Sequence, residues 1–149
     1  MGVYSFKTDE NLEKSGIYLQ YGDFRVKVAR AGGSNKRYAK ALEKETRDYR
    51  SAIKNDQMPE DKAAEIMRRV FASTVILGWE TKVEGEWRSG IEAEDGTLLQ
   101  FSQKNVESTL ENLPDLFADI QEQATKFSNF RAAPREADLG NSSGALNTP

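Results

Sequence analysis

The sequence contains neither cysteine nor histidine. The first absence excludes a disulfide framework, a thiolate metal site and a cysteine nucleophile. The second removes the commonest general base and the commonest transition-metal ligand, so any catalysis would rest on carboxylates, lysine, serine or tyrosine. Long apolar runs are missing too. The longest, around VFASTVIL at 70–77, falls well short of the about 20 residues that a membrane-crossing helix needs. The opening MGVYSFKTDENLEKSG lacks the basic head and apolar run of a secretory signal. Phe6 stands where an N-myristoylation signal needs serine or threonine. The expectation is a soluble, intracellular protein with no visible active site, no cofactor, no metal and no membrane partner.

What is present fits one domain. A chain of 149 residues is long enough to bury a core without metal or disulfide staples. Its net charge of −3 conceals a segregation: residues 25–54 hold ten Lys/Arg and three Asp/Glu, a balance of +7 that leaves −10 for the rest. Such a split suits nucleic acid, or lets copies of the chain and acidic partners find one another by electrostatic complementarity.

Gly16-Ile17-Tyr18-Leu19-Gln20-Tyr21, then Gly22-Asp23, then Phe24-Arg25-Val26-Lys27-Val28 has the form of a hairpin with a two-residue turn suited to positive φ. That turn pairs Tyr21 with Phe24, Leu19 with Val26 and Ile17 with Val28. Six apolar side chains then share one face, and Tyr18, Gln20, Arg25 and Lys27 share the other. A first helix is predicted over 35–55, capped by Ser34 or Asn35, with an inner stripe of Tyr38, Ala41, Leu42, Tyr49, Ala52 and Ile53 that Glu45 and Thr46 interrupt. Pro59-Glu60-Asp61 opens a second helix. Its residues Ala63, Ile66, Met67, Val70, Phe71 and Thr74 repeat at helical spacing up to Leu77, where Gly78-Trp79 stops it. The glycines at 85, 90 and 96 predict a small ribbon or loop between Glu80 and Gln100. Ser102 caps a third helix to about Leu113, and Pro114-Asp115 begins a fourth. The fold class is therefore α+β and mostly helical: an N-terminal arm (1–15), a single domain (16–131) with the hairpin packed on about four helices, and a disordered tail (132–149) of low apolar content.

Three stretches invite a chemical reading. AGGSNKR at 31–37 lacks the glycine spacing of a phosphate loop, so a strand-to-helix corner is the leading reading, with an anion held by the free N–H groups of the helix start as the alternative. Arg37, Lys40, Lys44 and Arg47 give the first helix a cationic face, suited to nucleic acid or, given the acidic total, to docking protein. Glu84, Glu86, Glu92 and Glu94 make the ribbon acidic without the spacing of an EF-hand, and Trp87 among them is a candidate exposed anchor. Phe130, at the junction with the tail, either caps the core or meets a partner.

The order of signals resembles that of the tail assembly chaperones of long-tailed, siphovirus-like bacteriophages. The residues that carry the resemblance are Arg30-Ala31-Gly32-Gly33 with Asn35, Gly78-Trp79, Asp95-Gly96 followed by Phe101-Ser102 and Asn105, Leu113-Pro114-Asp115-Leu116-Phe117, Phe130-Arg131 and Asn141-Ser142. The resemblance implies a non-enzymatic protein of the host-cell cytoplasm that oligomerises, coats the tape measure protein, recruits tail tube protein and is absent from the mature virion. Its partner-binding candidates are Arg37, Lys40, Lys44, Arg47, Glu84, Glu86, Trp87, Glu92, Glu94 and Phe130. Two alternatives stay open: a small nucleic-acid-binding protein using the helix at 35–55, and a structural tail or connector subunit of the virion.

Overall fold

The computed structural model describes residues 2–132; the tail expected from residue 132 lies, from 133 onward, outside the described residues. At the predicted turn Gly22 takes φ +68, and the chain reverses between β1 (Ile17–Tyr21) and β2 (Phe24–Val28). Their register is the predicted one, with Tyr21 opposite Phe24, Leu19 opposite Val26 and Ile17 opposite Val28. Val26 and Val28 are buried, and Ile17, Leu19, Tyr21 and Phe24 pack against the same core.

The helix predicted over 35–55 is broken. It forms α2 (Lys36–Thr46), a 3-10 turn at Arg47–Tyr49 and α3 (Arg50–Lys54). The break follows Thr46, whose hydroxyl donates back to the Leu42 carbonyl at 2.6 Å, a bond that competes with the helix ladder. Asn35 is the N-terminal boundary residue of α2, but its side chain makes no capping bond. Its amide donates instead to the carbonyls of Arg30 (2.8 Å) and Thr74 (3.0 Å), tying the corner after β2 to the end of the next long helix.

That helix, α4 (Glu60–Thr74), begins as expected with two acids in its first turn. Its end is a correction: Gly78-Trp79 does not stop a helix, because the chain is already in β3 (Ile76–Val83). β3 pairs with β2, placing Val26 opposite Trp79 and Val28 opposite Ile76, with a bulge that leaves Leu77 as the extra residue. A bulge interrupts period-two alternation. The apolar string Val75-Ile76-Leu77 therefore continues the helical rhythm on paper. β3 turns through Glu84 (φ +52) and Gly85 (φ +82) into β4 (Glu86–Ser89). The result is a four-stranded antiparallel sheet in the order β1-β2-β3-β4. A smaller ribbon follows, β5 (Ile91–Glu92) with β6 (Leu98–Leu99), fixed to the sheet where the Trp79 indole donates to the Leu99 carbonyl at 3.1 Å.

α5 (Gln103–Asn112) is capped as predicted, Ser102 Oγ accepting from the Asn105 N–H. α6 (Pro114–Thr125) starts on its proline and leads into a 3-10 turn at Phe127–Phe130. The architecture is thus α+β and mostly helical, with the helices on one face of the sheet. Phe71 lies at the centre of the core, edge-on to Tyr38 and Phe117 at 5.9 and 5.4 Å between ring centroids.

Residues before Gly16 hold a 3-10 turn (Val3–Phe6) and α1 (Glu10–Ser15), the latter capped by the Asp9 carboxylate. Both are tied down. The Asp9 N–H donates to the Phe130 carbonyl (2.8 Å) and the Ala132 N–H to the Lys7 carbonyl (2.9 Å), so the two ends of the described chain run antiparallel against each other.

Candidate functional site

The Arg30-Ala31-Gly32-Gly33 corner is occupied by the protein's own carboxylate. Glu13, 2% exposed, reaches in from α1 and accepts from Arg30 Nη1 and from Ser34 Oγ (2.8 Å). Gly33 has φ +55, and a Cβ there would collide with that carboxylate. Burial works to raise the Glu13 pKa, but the hydrogen bonds from Arg30 and Ser34 and the Arg30 charge outweigh it, holding the carboxyl below its ordinary range. The corner is accordingly an anchor for α1, which agrees with the structural reading of its sequence.

The cationic face runs along α2 and onto the first residue of the 3-10 turn after it. Spacing of three and four residues lines up Arg37, Lys40, Lys44 and Arg47, all exposed. Two of them are already engaged: Arg37 donates to the Ser73 carbonyl at 2.8 Å, and Arg47 pairs with Glu43 at 2.8 Å. Glu43 also takes Arg50, and Glu45 takes Arg69. Lys40 and Lys44 are left without a carboxylate among the described residues, lining an open depression together with Ala39, Glu43 and Arg47. α2 has no fully buried residue; its inner stripe only rests on its neighbour.

The acidic candidates do not form one cluster. Glu84 is in the β3–β4 turn, Glu86 begins β4 with Arg88 at 3.9 Å, Glu92 is on β5 and Glu94 follows it, all four exposed. Among the described residues no group of three or more His, Cys, Asp or Glu is arranged to hold a metal ion. No helix among them is long and apolar enough to cross a membrane.

Trp87 sits on the sheet face turned away from the helices. The Arg25 guanidinium lies 4.1 Å from its ring centroid and 3.9 Å from that of Tyr18, while pairing with Glu80 at 2.8 Å. Tyr18 and Arg25 are therefore part of this surface, which sequence reasoning missed. The hairpin register already put them on the outer face; what it lacked was β3 and β4 beside them.

The model of the YdaY prophage protein family matches residues 33–141. The chain belongs to the YdaY prophage protein family. It is accordingly phage-derived, and the matched region runs from the Gly-Gly corner through α6, taking in the cationic helix and the acidic ribbon. No curated protein matches the chain, and no solved structure does.

One candidate of this YdaY-family chain needs correcting. Phe130 is 0% exposed, and its carbonyl receives the Asp9 N–H. It closes the core where the two ends of the described chain meet, so it is not a surface for a partner. The exposed aromatic residues at that end are instead Tyr4 (83%) and Phe6 (67%), Phe6 stacking on Phe127 at 4.8 Å.

Proposed function

We propose that this YdaY-family chain is a non-enzymatic tail assembly chaperone. It self-associates, binds the tape measure protein, recruits tail tube protein in the host cytoplasm, and is left out of the mature virion. The observation that carries the reading is the charge layout. Among the described residues Lys40 and Lys44 stand without ion-pair partners on a helix that contributes no buried residue, while Glu84 and Glu86 are exposed at the β3–β4 end of the sheet and Glu92 and Glu94 at the smaller ribbon. Exposed charges that do not support the core are available to a neighbouring copy or an extended client, and they steer its approach. The phage origin of the family and the order of motifs along the chain support the same reading.

The test is co-expression with the tape measure protein of the same prophage, followed by affinity capture and sedimentation at low and high salt. Co-purification, with self-association that weakens as salt screens the contact, is expected, and Lys40→Glu with Lys44→Glu should abolish both. A chain that stays monomeric at low ionic strength and captures no tail component refutes the proposal. Recovery of the protein from purified particles would point to the structural-subunit alternative, and salt-sensitive retention on DNA or RNA to the nucleic-acid one.

A further inference from the structure

The outer face of the sheet gathers an aromatic and cationic surface away from the cationic helix. Side chains alternate along each strand. The pairing therefore brings Tyr18 of β1, Arg25 and Lys27 of β2, Glu80 and Lys82 of β3 and Trp87 of β4 onto one face. Arg25 is clamped between the two rings and held in the plane by Glu80, which accepts from its Nε at 2.9 Å and lies 2.8 Å from its Nη2. Lys27 comes within 5.6 Å of the Tyr18 ring and Lys82 within 5.8 Å of the Trp87 ring. Among the described residues neither lysine has a carboxylate partner.

Two consequences follow. The Arg25 charge is answered by Glu80, so the face keeps the two positive charges of Lys27 and Lys82, one toward each end of the stack. The rings are already immobilised by their guanidinium filling, which lowers the side-chain entropy a partner would have to overcome. Tryptophan, tyrosine and arginine are also the residue types that most often dominate an interface.

We propose that this face docks an acidic protein segment with apolar side chains between its carboxylates. The carboxylates meet Lys27 and Lys82, and the apolar groups lie on the exposed parts of Tyr18 and Trp87. Charge complementarity selects the acidic partner. Protein is favoured over single-stranded nucleic acid because Arg25 takes one face of each ring and so halves the surface on which a base could stack, and the chain's net charge is negative. The proposal does not depend on the chaperone reading.

Trp79 is only 5% exposed, so acrylamide quenching of tryptophan fluorescence reports mainly on Trp87. The probes are a synthetic peptide with glutamate and leucine at helical spacing, its twin with lysine in place of glutamate, and a dT oligonucleotide. The acidic peptide should shield Trp87 in the full chain, and the lysine twin should not. Binding, read by anisotropy of the labelled peptide, should weaken about tenfold or more in Trp87→Ala. The Lys27→Glu/Lys82→Glu pair should weaken it likewise, with circular dichroism and urea midpoint unchanged; this pair also decides the matter if Trp87→Ala fails to fold. Equal binding to the wild type and the lysine-reversed chain overturns the proposal, as does no binding up to about 1 mM. Shielding of Trp87 by the oligonucleotide in place of the peptide overturns it in favour of nucleic acid.

Discussion

Replacing Glu13 by alanine removes the one carboxylate that holds α1 against the corner after β2. Breaking a fully buried ion pair from one side costs about 3–5 kcal/mol. Arg30, however, keeps 20% of its side chain exposed against 2% for Glu13, so its orphaned charge can be rehydrated and part of that penalty disappears. The one buried methylene lost with the side chain adds back about 0.8 kcal/mol. Together these put the loss at roughly 2–4 kcal/mol at neutral pH. The folded chain binds the Glu13 proton more weakly than the unfolded chain does. Its contribution is therefore complete above the unfolded carboxylate's value and is lost as pH falls through the lower folded value. Urea unfolding, followed by circular dichroism, should show the gap between wild type and Glu13→Ala narrowing toward the methylene contribution as pH falls from neutrality through and below the ordinary carboxylate range. Gly33→Ala should mimic the neutral-pH loss, because its φ of +55 and its collision with the carboxylate disturb the same anchor. A gap that stays constant with pH, or a loss under about 0.5 kcal/mol at neutrality, would refute the ion pair as the anchor.

Other outcomes are equally specific. Asn35→Ala should cost about 1–3 kcal/mol in urea unfolding, since the Arg30 and Thr74 carbonyls lose their shared donor. Phe130→Ala should cost about 3–5 kcal/mol as a residue that is 0% exposed; a near-neutral result would restore it as a surface candidate. The Tyr21 phenol, pushed up by burial and then by its 2.7 Å bond to the Asp119 carboxylate and that group's charge, should resist ionisation beyond the ordinary tyrosine range. Asp119→Asn should bring it down, which an NMR titration of the ring carbons reads directly.

The hairpin was legible to the residue because a two-residue Gly-Asp turn leaves one register, and a register fixes both faces at once. Ser102 and Pro114 were legible because their chemistry matches a helix start whatever surrounds it. Two features were not. The bulge at Leu77 kept Val75-Ile76-Leu77 from alternating, and the helical rhythm of the preceding residues ran on to Gly78-Trp79, hiding the strand that completes the sheet. Glu13 was not legible, since nothing local announces that a carboxylate will be buried; its partners, Arg30 and Ser34, lie 17 and 21 residues away. The same long-range pairing hid the surface around Trp87. The tryptophan was singled out as an anchor, but Tyr18 and Arg25 join it only once β3 lies between β2 and β4.

The position of α2 bears on how its charges should be tested. A helix whose inner stripe is fully buried resists interpretation by charge reversal, because any change in binding can be traced to a change in packing. α2 lacks that complication: none of its residues is fully buried, and its tertiary support is the half-buried stripe of Tyr38, Ala41 and Leu42 with the Arg37 and Glu45 links to α4. Lys40 and Lys44 take part in neither link. Reversing them removes no contact that holds the helix, and exposed substitutions of this kind shift stability by no more than about 0.5 kcal/mol. A loss of self-association in Lys40→Glu/Lys44→Glu with an unmoved urea midpoint therefore assigns those charges to an interface. A parallel fall in both quantities would mean that α2 is held in place by its charges after all, and that the cationic face belongs to the fold.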